Sequence, residues 1–243
     1  MNLKFILSTA VAVVASVLVI LSLYEEITAA ITDDCSGNRF CSFYELREVY
    51  EEGEDWEIEK SSAGNERWLV SAIHGGGIEE ATSTLAEAIA GSSYPFYSFK
   101  GRLKSNNFSN LHITSTRFDE PEALEMVANA EYHISIHGSA GDEPKTMIGG
   151  LDKDMKEIVS RHLEENGFEV AVTPEHLNGD HPDNFTNKTK TERGVQLEIT
   201  RAQRKAFFKN GDISFSSRNN SSNQTEEFKI YVEAIQSSMK EYE

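Results

Sequence analysis

Short apolar runs that stop abruptly at glycine, histidine or a polar turn recur along this chain and alternate with segments of helical period. Trp68 to Ile73 (WLVSAI), Tyr94 to Phe99 (YPFYSF), Leu111 to Ser115 (LHITS), Tyr132 to His137 (YHISIH), Phe168 to Val172 (FEVAV) and Val195 to Ile199 (VQLEI) read as strands. Around them Phe43 to Gly53, Ile78 to Ala90, Pro121 to Asn129, Asp152 to Asn166 and Glu226 to Tyr242 carry apolar residues at helical spacing. Asp152 is a natural N-cap, and Gly167 is a natural residue just past a helix end. Strands alternating with helices predict an α/β fold, with a single mixed, largely parallel sheet flanked by helices. Thr173 to Arg193 and Asn210 to Gln224 lack either pattern, and a loop as long as the first is usually, in a compact domain, either a functional lid or a wrongly assigned element.

The front of the chain obeys different rules. From Phe5 to Tyr24, 20 consecutive residues carry no charge, with Lys4 before them and Glu25 and Glu26 after. No charged residue interrupts the run to define a solvent face, as a core helix would require. It is long enough to span a bilayer, and Thr28-Ala29-Ala30 offers small residues for cleavage, so residues 1–30 read as a signal peptide or a membrane anchor with the rest of the chain outside. Residues 31–42 form a linker holding the only cysteines, Cys35 and Cys41, expected to pair in an oxidising compartment. A metal role for that pair is weaker, because no further cysteine exists to complete it. Residues 43–243 are the folded body. With 23 Lys and Arg against 40 Asp and Glu, the net charge of −17 argues against a nucleic-acid partner, whose phosphates demand cations.

The chemistry concentrates at predicted strand ends. His74 leaves one strand, His137 ends another and Glu198 lies near the end of a third, the side of an open α/β sheet where ligands bind. Glu79 follows His74 by five positions, on the expected first turn of the next helix, and the glycines between allow both side chains to face one ion. Two imidazoles and a carboxylate around an open position are the usual protein ligands of catalytic zinc. A further carboxylate must then take a proton from water and deliver it to a leaving amine, and Glu198 is placed for this. These residues point to an amide hydrolase. His112 and His133 read as structural, although His133 shares a strand face with His137 and could support it. His162 and His176 read as surface residues, and His181 is left unassigned.

His74-Gly-Gly-Gly-Ile-Glu79, the stretch from Phe99 to Leu124, Ser135 to Gly138, Ile148 to Asp152, and Gly194 to Arg204 together resemble the poly-γ-glutamate hydrolase family of phage-type, zinc-dependent enzymes. The resemblance runs in order from about Phe43 to Val232. It implies a carboxypeptidase-like fold, hydrolysis of γ-glutamyl amide bonds in a polyanionic polymer, one zinc ion on His74, Glu79 and His137, and Glu198 as general base. Phage members generally lack a leading hydrophobic segment, so this chain is expected to be a cellular form, secreted or membrane-anchored with its catalytic domain outside, and monomeric.

A polyanionic substrate facing an acidic protein needs local cations. Residues 100–117 contain no Asp or Glu, and Arg201, Arg204, Lys205 and Lys209 follow Glu198 directly. Arg201, Arg117 and Lys100 are the candidate substrate-binding residues, with Arg201 preferred because arginine binds carboxylates bidentately. Two rivals stand beside this reading. One is a serine esterase using the His-Gly-Gly-Gly stretch as an oxyanion loop, Ser139 as nucleophile and His176 or His181 as base. The other is a non-catalytic, exported domain that binds wall polymers.

Overall fold

The structure is a computed structural model that describes residue 35 and residues 37–243. The leader expected over residues 1–30, and most of the linker, lie outside the described residues. Among the described residues no cysteine is free. The strands are β1 (Trp56–Ser61), β2 (Trp68–Gly76), β3 (Phe96–Gly101), β4 (Tyr132–Ser139), β5 (Thr146–Gly149), β6 (Val170–Ala171) and β7 (Val195–Thr200). They form one 7-stranded sheet in the order β1-β3-β2-β4-β7-β5-β6. β3, β2, β4 and β7 run parallel to one another, β6 runs parallel to β5, and β1 on β3 and β5 on β7 are antiparallel. The expected mixed, largely parallel sheet is what forms.

Side-chain alternation divides the core into two layers. Val70 and Ala72 of β2, Ile134 and Ile136 of β4, and Val195, Leu197 and Ile199 of β7 pack against the helices Thr82–Ala90, Lys153–Glu165 and Glu226–Tyr242. Leu69 and Ile73 point the other way, towards Phe43, Trp56, Phe99, Phe118 and the helix Pro121–Asn129. Every residue of β2 is buried, because neighbours flank it on both edges and helices cover it on both faces. On the second face β4 and β7 carry His133, Ser135, His137, Gln196 and Glu198, all buried. This polar stripe leads into the site.

Several local expectations change. β1 was not anticipated, since WEIEKS alternates acids with apolar residues instead of forming an apolar run, as suits an edge strand with one solvated face. The expected strand from Leu111 to Ser115 is instead the end of a short helix, Asn107–Leu111, followed by a loop in which Leu111 and Ile113 are buried as anchors. The helix expected from Ile78 begins at Thr82, because Ala81 adopts φ +78 and cannot continue a right-handed helix. The helix expected from Phe43 to Gly53 spans only Phe43–Arg47. Pro121–Asn129 and Glu226–Tyr242 have their expected limits, and Asp152 caps its helix by accepting from the Met155 amide.

Candidate active site

The glycines after Ile73 do not end β2. The strand runs on through Gly76, with its register against β3 shifting between Ala72 and Gly75. A Cβ on Gly75 would stand 2.2 Å from Ser83 Oγ and 2.3 Å from Ser98 Oγ. Gly76 has φ +63, and a Cβ there would meet the Gly101 carbonyl oxygen at 2.4 Å. Only glycine satisfies both demands, the close approach and the left-handed turn. The chain then reverses, so that the Glu79 amide donates to the His74 carbonyl at 2.9 Å, and the Thr82 hydroxyl donates to the Glu79 carbonyl at 2.8 Å. Glu79 thus sits in a pinned turn ahead of the helix, not on its first turn.

The turn brings Glu79 Oε1 to 3.1 Å from His74 Nδ1. From the end of β4, His137 Nδ1 arrives 3.1 Å from the same His74 nitrogen and 3.6 Å from Glu79 Oε2. The outer nitrogen of His74, Nε2, donates to the Ile113 carbonyl at 2.8 Å, so Nδ1 is the nitrogen turned towards Glu79 and His137. His137 Nε2 is likewise engaged, 2.9 Å from Ser135 Oγ. His74, Glu79 and His137 thus turn nitrogen and carboxylate atoms towards one another in a buried cluster, which a shared proton or a shared cation holds together. Nitrogen and carboxylate donors of this kind suit zinc.

His112 completes the cluster. Its Nδ1 donates to Asn38 Oδ1 at 2.5 Å, so Nε2 is turned inward, 3.9 Å from Glu79 Oε1, and its ring lies 4.0 Å from that of His74, centroid to centroid. His74, Glu79 and His112 each offer a ligand atom within 4.8 Å of the others. From the sequence His112 reads as structural, within a stretch that reads as a strand. The loop that replaces the strand is what frees the ring.

The electrostatics follow from burial and neighbours. Burial pushes the Glu79 carboxyl upward, but His74 and His137 more than reverse this and hold it well below the usual carboxylate range. Burial also opposes a charge on His137, yet hydrogen bonding and attraction to Glu79 raise it overall. His112 is pushed down to about 3 by burial and by His74. Glu198 is the register partner of His137 on β7, and burial, with Glu79 nearby, raises it to about 7. Its Oε1 accepts from Gln196 Nε2 at 2.8 Å, and Gln196 Oε1 in turn accepts from Asn184 Nδ2 at 3.2 Å.

All five residues line a cavity of about 1160 Å³. The long loop supplies one wall, including His176, Asn178 and His181, and Arg201 and Arg204 stand at another side. Of the three candidate substrate cations only Arg201 lines this cavity; its side chain is 53% exposed, and its guanidinium is 4.0 Å from Glu80. Arg204, not singled out from the sequence, is buried and donates to the carbonyls of Ile199, Glu80 and Ser139, tying β7 to β4 and to the Glu79 turn. Lys100 is elsewhere. It faces its cross-strand partner Glu57 at 3.2 Å and Glu59 at 2.8 Å, beside a separate small cavity. Arg117 follows Thr116, a lining residue, but does not itself line the cavity. Ser139 Oγ is buried without a hydrogen-bond partner among the described residues, so the esterase arrangement lacks a base for its nucleophile.

Fold and site together define an α/β protein with a His/Glu cluster of metal-binding type at the carboxyl ends of parallel strands, open to a cleft. Residues 40–234 match the model of the poly-gamma-glutamate hydrolase family, and the chain belongs to that family. Among solved structures, a bacteriophage poly-gamma-glutamate hydrolase superposes with a TM-score of 0.80 at 34% identity, over 84% of this chain and 98% of the phage chain. A zinc-free apo form of YndL gives 0.78 at 35% identity, with the same 84% and 98% coverage. Relatives in Bacillus subtilis (strain 168) include UPF0714 protein YmaC, 37% identical over 77% of this chain and 79% of its own length. UPF0714 protein YndL is 41% identical over 69% of this chain and 65% of its own length.

Proposed function

We propose that this chain is a zinc-dependent hydrolase of the γ-glutamyl amide bonds of poly-γ-glutamate. The convergence of His74 Nδ1, His137 Nδ1 and the Glu79 carboxylate, at 3.1 to 3.6 Å from one another, carries this assignment. Family membership supplies the substrate class, and the solved zinc-free form of a relative supports zinc as the ion. A zinc ion on His74, Glu79 and His137 would supply Lewis acidity at the scissile carbonyl and acidify water to near neutrality. Glu198 takes the proton of the attacking water and returns it to the departing amine nitrogen, and its raised pKa suits a group that must do both. Arg201, exposed at the cleft, receives a pendant α-carboxylate of the polymer. The hydrophobic run at residues 5–24 fits export or anchoring, which would place the catalytic domain outside the cell with its extracellular polymer.

Metal analysis together with a polymer-shortening assay tests this. Purified protein should hold about one zinc per chain and lose activity to a chelator. His74→Ala should lose both metal and activity. Glu198→Gln should keep the metal while losing turnover by the roughly 10²–10⁴-fold typical of a missing general base. A His74→Ala protein that retains its full metal content would overturn the ligand set, and an unaltered Glu198→Gln enzyme would remove the base. A chain that binds the polymer without shortening it would be the wall-polymer-binding domain instead.

A further inference from the structure

Among the described residues, the large apolar side chains left exposed are Tyr44, Val49, Phe108, Val172 and Phe215, and of these only Phe108 lines the cleft. Its short helix, Asn107–Leu111, is held at both ends by buried residues, Asn107 and Leu111. The Asn107 side chain accepts from the Leu103 amide at 2.9 Å and donates to the Leu103 carbonyl at 2.7 Å, which closes the preceding loop. Phe108 and the helix cap His112 are four positions apart and share a face, so their rings stack, with centroids 4.5 Å apart and planes inclined by 31°. The ring of His112 lies in turn 4.0 Å from that of His74, inclined by 36°. Three rings therefore run in series from the cleft surface to the His/Glu cluster, and Phe108, 53% exposed, is the outermost.

We propose that Phe108 is a specificity-determining residue, a platform that receives the main-chain methylenes of the polymer and so favours γ-linked over α-linked chains. This deepens the functional reading above and takes its substrate class from it. A γ-linked glutamyl unit places two methylenes in the main chain between successive amides, and its carboxylate hangs from the carbon beside the amide nitrogen. Such a chain alternates apolar and anionic groups along its own axis. An α-linked chain has a single carbon between amides, and its methylenes lie in side chains that end in the charge. The cleft offers the matching pair, the apolar face of Phe108 and the guanidinium of Arg201. The stack puts Phe108 two rings out from His74, so the methylenes it covers belong to the unit next to the scissile amide. Because the ring is already fixed by its helix and by His112, little freedom is lost when substrate lies on it. Two covered methylenes are worth roughly 10-fold in affinity.

Binding and turnover test this separately. The full chain, zinc-loaded and carrying Glu198→Gln to suppress turnover, is titrated with a labelled γ-linked glutamate oligomer and with an α-linked oligomer of equal length. Kinetics on poly-γ-glutamate are measured on chains that keep Glu198. Phe108→Ala should weaken the γ-linked oligomer roughly 10-fold, at low and high salt alike, and the α-linked one by less than about 2-fold. It should raise KM by a similar roughly 10-fold and leave kcat within about 2-fold of wild type. Phe108→Leu, which keeps an apolar surface, should recover most of the loss, and both variants should bind zinc as wild type does. A Phe108→Ala protein with unaltered γ-linked affinity and KM overturns the proposal, as do equal losses on the two oligomers. A fall in kcat or zinc affinity at unaltered KM overturns it too, and makes the ring a prop for His112. If wild type binds the γ-linked oligomer without cleaving the polymer, the functional reading fails, and the comparison of the two linkages still decides the role of Phe108.

Discussion

Replacing Glu198 by glutamine should make the metal-free protein more stable, and only above a defined pH. Glu198 is 5% exposed and is pushed from an ordinary 4.5 to about 7 by burial, with Glu79 adding to the effect. The neutral carboxyl is thus the form the fold prefers. Its contribution to stability is fully present below pH 4.5 and is lost as pH rises through about 7, where the native state must carry a buried carboxylate. At about 1.4 kcal/mol per pH unit, the difference between those values amounts to ~3 kcal/mol. Glutamine stays neutral throughout and keeps an oxygen to accept from Gln196 Nε2. The stability gap between variant and wild type should therefore be flat at acid pH, widen between about 4.5 and 7, and reach ~3 kcal/mol in favour of the variant by about pH 8. Urea titrations over a pH series, with chelator present and similar m-values for both proteins, measure it. Zinc added back should shrink the gap, because a cation beside Glu198 favours its charged form. A gap that does not vary with pH would show that Glu198 titrates normally in the native state, and would remove the electrostatic basis for its role as base.

Two further outcomes are expected. Arg201→Gln should raise KM for the polymer with little change in kcat, costing roughly 10–100-fold in kcat/KM if one charge-assisted hydrogen bond is lost; steady-state kinetics at varied salt checks this, and an unchanged KM would assign the guanidinium to Glu80 alone. Fractionation of cells producing the full chain should find the catalytic domain outside the cytoplasm, and deletion of residues 2–24 should keep it inside.

The sheet was legible because buried parallel strands write themselves as apolar runs, and His74 and His137 stand out because they sit where such runs stop. Glu198, two positions after an inward-facing Gln196, was legible for the same reason. His112 was not. Its neighbours Leu111 and Ile113 look like strand residues because they are buried, yet burial here serves a loop, and alternation alone cannot separate the two. Glu79 does lie beside His74, but on a turn and not on a helix: that turn needs a left-handed Ala81, which no side-chain pattern announces. Lys100 misled because a cation-rich stretch looks like an anion site until the opposing strand is known, and β1, the strand that neutralises it, was itself invisible to a search for apolar runs.

The bond from His112 to Asn38 carries a lesson for anyone preparing this enzyme. The residue steadying that ring lies before the first helix, and next to it Arg39 reaches Asn110 at 2.6 Å. Maturation, or a shortened version made at the bench, has to stop upstream of position 38. Trimming to the start of the first regular element would spare the sheet and still loosen one wall of the centre.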